Sequence, residues 1–328
     1  MYAVFYTFAE EFALCRPTAT KQTGILSSES EERETKPLKG QTYDKPTPPP
    51  ADTSHKTGEE YKLDFNEILK TMETVIGLTI PFLGTVLGAA VVLMMRNGIS
   101  GKTNSAMLGF ASGVMVAASF WSLLQPALEQ VGDGIPNTWP VLVGFAAGMC
   151  FLLLLDTVIP HQHVDDRHPE GPRSRLPRSI KMILAVALHN IPEGMAVGVV
   201  FGGVMNGNTD LTLAGALALS IGMAIQNIPE GAIISVPLRD EGKSAGKAFA
   251  WGAASGLVEP IAALATMFIL KDSSAAMPVL LAFAAGAMLY VVVEELIPSS
   301  QKGEHSNVGT IGFAIGFMLM MVLDSCLG

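Results

Sequence analysis

Two short phrases hold the residues with the most chemistry in this chain, "LHNIPEG" at 188–194 and "IQNIPEG" at 225–231. In the first, His189 and Glu193 stand four residues apart with Asn190 beside them. In the second, Gln226, Asn227 and Glu230 repeat the spacing. Side chains at that spacing share one face of a helix. A third carboxylate, Glu259, lies in "GLVEPIAA". Carboxylates, amide oxygens and one imidazole, with no thiolate, suit a borderline or hard divalent cation such as Zn²⁺, Fe²⁺, Mn²⁺ or Cd²⁺. A closed structural zinc site would use more Cys and His.

The surroundings of these residues are apolar. The chain has 328 residues, 49% of them hydrophobic and 16% charged, against about 25% charged in an ordinary soluble domain. Much of the charge lies before residue 74. Beyond it run eight long apolar stretches, about 72–95, 106–128, 139–160, 180–202, 211–237, 246–270, 275–297 and 308–327, each near the roughly 20 residues of a spanning helix. The expectation is an all-α polytopic protein in a lipid bilayer. A glutamate at mid-bilayer costs about 2.5–3.5 kcal/mol on insertion scales. Three of them with no buried Lys or Arg beside them want a cation. Pro192 and Pro229 cannot donate to the carbonyls of Leu188 and Ile225, so the fourth and fifth spans are expected to be interrupted where they line a cavity. Paired interrupted helices with matching polar clusters point to the substrate site of a transporter.

The loops suggest an orientation. One set carries Arg96, Lys102, Arg167, Arg173, Arg175, Arg178, Lys181, Arg239, Lys243, Lys247 and Lys302, whereas the alternate set holds Lys271. The basic set should face the cytosol, leaving both termini outside. Residues 1–70 are expected to be a disordered polar tail, rich in Ser, Thr, Pro, Lys and Glu from about 16 to 60. Glu10 and Glu11 break the mildly apolar beginning, which reads poorly as a signal peptide. Cys15, Cys150 and Cys326 are far apart and form no metal or disulfide pattern. A net charge of −9 argues against a nucleic-acid partner.

"HNIPEG" followed by "QNIPEG" on consecutive spans, with eight spans and both ends outside, resembles the ZIP (Zrt/Irt-like) family of divalent metal transporters, and its GufA-like branch in particular. The likeness extends over about 74–328 through "LGFASGVMVAASFWSLLQPALE", "SGLVEP", "LAFAAGAMLYVV" and "LDSCLG". It implies a transporter domain over 71–328 in which spans one to three and six to eight are related by inverted pseudosymmetry around the fourth and fifth. It also implies a binuclear site. One metal would be held by His189, Glu193, Gln226 and Glu230, the other by Asn190, Glu193, Asn227, Glu230 and Glu259. Zn²⁺ would be the transported substrate, moved towards the cytosol by an elevator-like slide, with a second divalent metal beside it. Many relatives have His and Asp where this chain has Gln226 and Asn227, and these amides lower the charge of the site. Family members are often homodimers, and the plasma membrane is expected ahead of an endomembrane.

Other residues could serve the path. Asp156, His161, His163, Asp165, Asp166 and His168 crowd the loop after the third span, where relatives often have a His-rich metal-holding segment; a solvated polar loop is the alternative. Glu294 and Glu295 end the seventh span on the same side and by resemblance could line the exit. Gln125 and Glu129 at the other end of the second span could draw cations inwards. Asp324 has no assigned role. The competing readings are an intramembrane metal hydrolase and a Mg²⁺ or Ca²⁺ carrier. The first lacks the second histidine of H-E-x-x-H, and the imidazole of His189 disfavours the second.

Overall fold

A computed structural model describes residues 65–95, 98–132, 134–162, 171–270, 274–302 and 306–327. It contains eight helices long and apolar enough to cross a membrane: Lys70–Met94, Gly101–Val131, Asn137–Val158, Arg178–Met205, Leu213–Asp240, Ala245–Leu270, Met277–Ser300 and Val308–Leu327. We call them the first to eighth spans. Each lies within a few residues of its expected place. The expected tail lies outside the described residues as far as residue 64, and the first helix begins at Phe65, ahead of the expected boundary.

Lipid offers no hydrophobic reason for helices to leave it, so close packing through small residues holds such bundles together. Here the small residues fall in a repeated pattern. Gly144-Phe145-Ala146 and Gly148, followed by Leu155-Asp156, recur in the eighth span as Gly312-Phe313-Ala314 and Gly316, followed by Leu323-Asp324. The contacts repeat with them. Gly148 faces the carbonyl of Phe283 in the seventh span, and Gly316 faces that of Phe110 in the second. Gly286 faces the carbonyl of Phe145, and Gly113 that of Phe313. The second span thus pairs with the eighth as the seventh pairs with the third, which is the inverted repeat.

The second and seventh spans share a further feature. Each passes into a π-helical segment, Ser119–Leu124 and Val292–Leu296, shortly before Pro126 and Pro298. A π-turn inserts extra backbone and re-aims the side chains beyond it, a device common at functional sites.

The fourth and fifth spans differ from expectation. Both are continuous helices, with Pro192 and Pro229 inside them. One missing N–H removes one hydrogen bond from a helix of 28 residues, and the buried neighbours of Pro192 and Pro229 keep each axis in place. The break falls in the sixth span instead, between Ala245–Ser255 and Val258–Leu270. Tight bonds from Gly256 N–H to the Ala253 carbonyl and from Leu257 N–H to the Ala254 carbonyl, both 3.2 Å, close the turn. Glu259 therefore stands in the first turn of a new helix, where the positive end of the helix dipole favours a carboxylate.

Large side chains fill the interior around these crossings. Phe201, Met115, Leu219, Met223, Met277 and Met288 are completely buried, so several of the methionines serve as core.

Candidate metal site

The fourth, fifth and sixth spans bring the repeated phrases and Glu259 together, and the first span closes the group. Gln226 Nε2 donates to Glu193 Oε1 at 2.8 Å, linking the two phrases. Asn190 Nδ2 donates to Glu259 Oε1 and to the Ser255 carbonyl, both at 3.2 Å. Asn227 Nδ2 reaches the Pro81 carbonyl at 3.3 Å, and its side chain stands beside both Glu193 and Glu259. Thr85 of the first span donates to Glu259 Oε1 at 2.8 Å. Asn190, Glu193, Gln226, Asn227 and Glu259 are buried, as is Glu230 at 7% exposure.

The amide nitrogens are used, and the oxygens opposite them are not. Asn190 Oδ1, Glu193 Oε2, Gln226 Oε1, Asn227 Oδ1 and Glu259 Oε2 are all buried without a hydrogen-bond partner. A buried acceptor left unpaired costs about 1–3 kcal/mol, and more when charged. Five such oxygens in adjoining side chains, beside mutually repelling carboxylates, form a donor set that fits a cation. Among the described residues no three His, Cys, Asp or Glu side chains form a ready metal cage. A cation held here would therefore have to draw on the amide oxygens, and His189 is turned towards another partner.

His189 Nε2 contacts Glu295 Oε2, joining the fourth span to the π-helical segment of the seventh. The two side chains are 12% and 15% exposed, whereas Glu193 is fully buried. The contact lies on the side of the site nearer the end of the bundle that carries the basic loops. On the opposite side, Val197, Val200, Leu219 and Met223 are buried in one apolar cluster. The expected pair on the seventh span divides. Glu295 reaches the site's edge, and Glu294 is exposed.

The sequence profile of the ZIP Zinc transporter family matches residues 160–324. The chain is 40% identical over 258 residues to zinc transporter ZIPB of Bordetella bronchiseptica, covering 77% of this chain and 81% of that one. This chain belongs to the ZIP family. It is also 36% identical to zinc transporter GufA of Myxococcus xanthus, over 75% of this chain and 96% of the relative. Human zinc transporter ZIP11 is 32% identical, over 74% and 94%. Membership and eight apolar helices make the chain a multi-pass membrane protein of a transporter family, and set the hydrolase reading aside.

In this ZIP protein the loop after the third span is partly folded inwards. His161 is completely buried. Its Nε2 lies 2.9 Å from Asp156 Oδ1, and its Nδ1 lies 2.8 Å from the Ile159 carbonyl. Tyr290 of the seventh span donates to Asp156 Oδ2 at 3.2 Å, so the loop is tied to both helices. With both ring nitrogens engaged, His161 is placed as a structural tie, and metal capture would first require these contacts to break. His163, Asp165, Asp166 and His168 lie outside the described residues. His161→Ala should lower the thermal midpoint in detergent, because it strips Asp156 of a charge-assisted contact worth about 1.5–3 kcal/mol. An unchanged midpoint in a thermal-shift measurement would contradict this role.

At the opposite end, Gln125, Glu129, Asp210 and Asp324 line one cavity of about 180 Å³. Gln125 donates to Glu129 at 2.9 Å and Ser122 to Asp324 at 2.8 Å. Sequence reading singled out Gln125, Glu129 and Asp324, and overlooked Asp210, Thr85 and Tyr290. Asp156 of the third span meets Tyr290 of the seventh as Asp324 of the eighth meets Ser122 of the second, and the matching places of Asp156 and Asp324 in the two copies of the repeat were the available signal for Tyr290.

Proposed function

We propose that this protein carries Zn²⁺ across a membrane into the cytosol, through a site between the fourth and fifth spans. His189, Glu193, Gln226 and Glu230 hold one cation position. Asn190, Glu193, Asn227, Glu230 and Glu259 hold a second, and Glu193 and Glu230 bridge the two. The observation that carries this reading is the set of five buried, unpartnered oxygens in those side chains. Mixed oxygen ligation with one imidazole binds firmly enough to load and loosely enough to release. The relatives' names, all zinc transporters, favour zinc; Cd²⁺, Fe²⁺ and Mn²⁺ fit the same ligands.

The ion enters from the cavity beside Asp210 and Asp324 and leaves past His189 and Glu295. Loading the first position requires His189 to turn from Glu295 to the metal, which makes the carboxylate of Glu295 the next acceptor on the way out. The basic loops face the cytosol, both termini face outside, and the plasma membrane is the first expectation. Two copies associate as a homodimer.

The test is uptake into liposomes containing purified protein, with Zn²⁺, Cd²⁺, Fe²⁺, Mn²⁺ and Mg²⁺ compared. The expected result is Zn²⁺ influx that falls about tenfold or more in His189→Ala, the effect of losing one good ligand. Mg²⁺ influx indifferent to His189→Ala, with no Zn²⁺ influx, would replace zinc by a hard cation and overturn the reading.

A further inference from the structure

Glu259 is held in an unusual way for a metal ligand. One carboxylate oxygen, Oε1, receives both the Thr85 hydroxyl at 2.8 Å and the Asn190 amide at 3.2 Å. The other, Oε2, is buried and receives nothing. The two oxygens of one carboxylate thus have separate tasks. Thr85 and Glu259 are each 1% exposed, so water does not compete for these bonds.

The backbone is built to bring Thr85 this close. Gly256, in the turn that breaks the sixth span, has no Cβ; one placed there would lie 2.8 Å from Thr85 Cβ and 3.0 Å from its hydroxyl oxygen. Gly231 lets the backbone of the fifth span rest on the Thr85 carbonyl from another side. Thr85 is wedged between two helices that carry cation ligands, and its hydroxyl points to one of them.

We infer that Thr85 is a specificity-determining positioning residue. By occupying Oε1 it makes Glu259 a one-oxygen ligand, and this favours zinc over calcium at the second cation position. The inference rests on the second position proposed above. Zinc is content with four ligands at about 2.0–2.2 Å, one oxygen from each carboxylate. Calcium gathers six to eight oxygens at about 2.3–2.6 Å and often takes both oxygens of a carboxylate. A carboxylate pinned through Oε1 offers one oxygen at no cost, and offers two only by breaking the bonds to Thr85 and Asn190. Removing the hydroxyl lets the carboxylate turn both oxygens to a larger ion.

The experiment measures Zn²⁺ uptake into liposomes and its inhibition by Ca²⁺, read as the ratio of the half-inhibiting Ca²⁺ concentration to the KM for Zn²⁺. Thr85→Val keeps the shape and deletes the hydroxyl, and should lower this ratio about tenfold, the equivalent of one hydrogen bond to a charged group. Thr85→Ser retains the hydroxyl and should stay near the starting ratio. Glu259→Gln removes one charged ligand and should raise the KM for Zn²⁺ about tenfold. Because an amide offers a cation one oxygen, Thr85→Val added to Glu259→Gln should leave the ratio where Glu259→Gln alone puts it. A merely structural Thr85 would alter yield and maximal rate and leave the ratio alone. If Thr85→Val does not give monodisperse protein, Thr85→Ala takes its place with the same expectation. A ratio unmoved by Thr85→Val, with the KM for Zn²⁺ raised by Glu259→Gln, would overturn the role of Thr85 and leave the second position standing. A KM for Zn²⁺ unmoved by Glu259→Gln would remove the second position and the role of Thr85 with it.

Discussion

Glu193→Ala and Glu193→Gln should each abolish zinc uptake, reducing it about a hundredfold or more. Glu193 is fully buried, serves both proposed cation positions, and is the acceptor for Gln226. Loss of one charged ligand at two positions amounts to at least about 2.7 kcal/mol, or two factors of ten. The glutamine variant separates function from fold. It keeps the shape of the side chain and removes a buried charge that is poorly compensated in the metal-free protein. Its metal-free thermal midpoint should therefore match or exceed that of the parent. Zinc should raise the parent's stability by about 2.7 kcal/mol at a hundredfold excess over Kd and leave the variant where it was. Glu230→Ala should behave as Glu193→Ala does. Uptake that survives both alanine substitutions would place the pathway elsewhere in the bundle.

The second large effect is expected from the glycine that follows each glutamate. A Cβ on Gly194 would run into the Glu259 carbonyl and lie 2.9 Å from Ala262 Cβ; one on Gly231 would run into the Thr85 carbonyl and lie 2.7 Å from the Ala89 nitrogen. Several of these neighbours are backbone atoms, which cannot step aside as a flexible side chain can. In an exposed helix, replacing glycine would stabilise by up to about 1 kcal/mol; here the clash decides the sign. Gly194→Val forces the sixth span away from the fourth, and Gly231→Val forces the first away from the fifth. The cost should be about 1–3 kcal/mol or more, with zinc uptake lost even in molecules that remain folded. Detergent-solubilised protein with an unchanged thermal midpoint and full uptake would show that these crossings are looser than described.

Much of this architecture can be read from residue order alone. The eight apolar runs are long enough that length and hydropathy place them, and the paired phrases stand out because Glu, Pro and Asn are expensive at that depth. Thr85 is harder to see. A threonine in an apolar helix commonly bonds its own backbone, as Thr74 does with the Lys70 carbonyl. Only the tertiary contact with Glu259 distinguishes Thr85. The contact between His189 and Glu295 joins spans far apart in sequence, and the π-helical segment that aims Glu295 has no local signature. Proline misleads in the other direction. Pro192 and Pro229 suggest broken helices, but packing keeps both intact, and the true break at Gly256 resembles any other glycine among small residues.

The repeat of three helices, separated by two that are not repeated, has a consequence of parity. Three crossings carry a chain from one face of the bilayer to the other, and the two middle crossings return it to the face where the first copy ended. The second copy must then begin where the first finished and run through the membrane upside down. Glycine faces selected to grip a partner in one copy consequently meet their counterparts from the reverse direction, as Gly148 on Phe283 and Gly316 on Phe110 do. A single additional crossing between the copies would turn the second one upright and leave those faces without partners. An even number of central helices is therefore as much a requirement of this architecture as the ligands those helices carry.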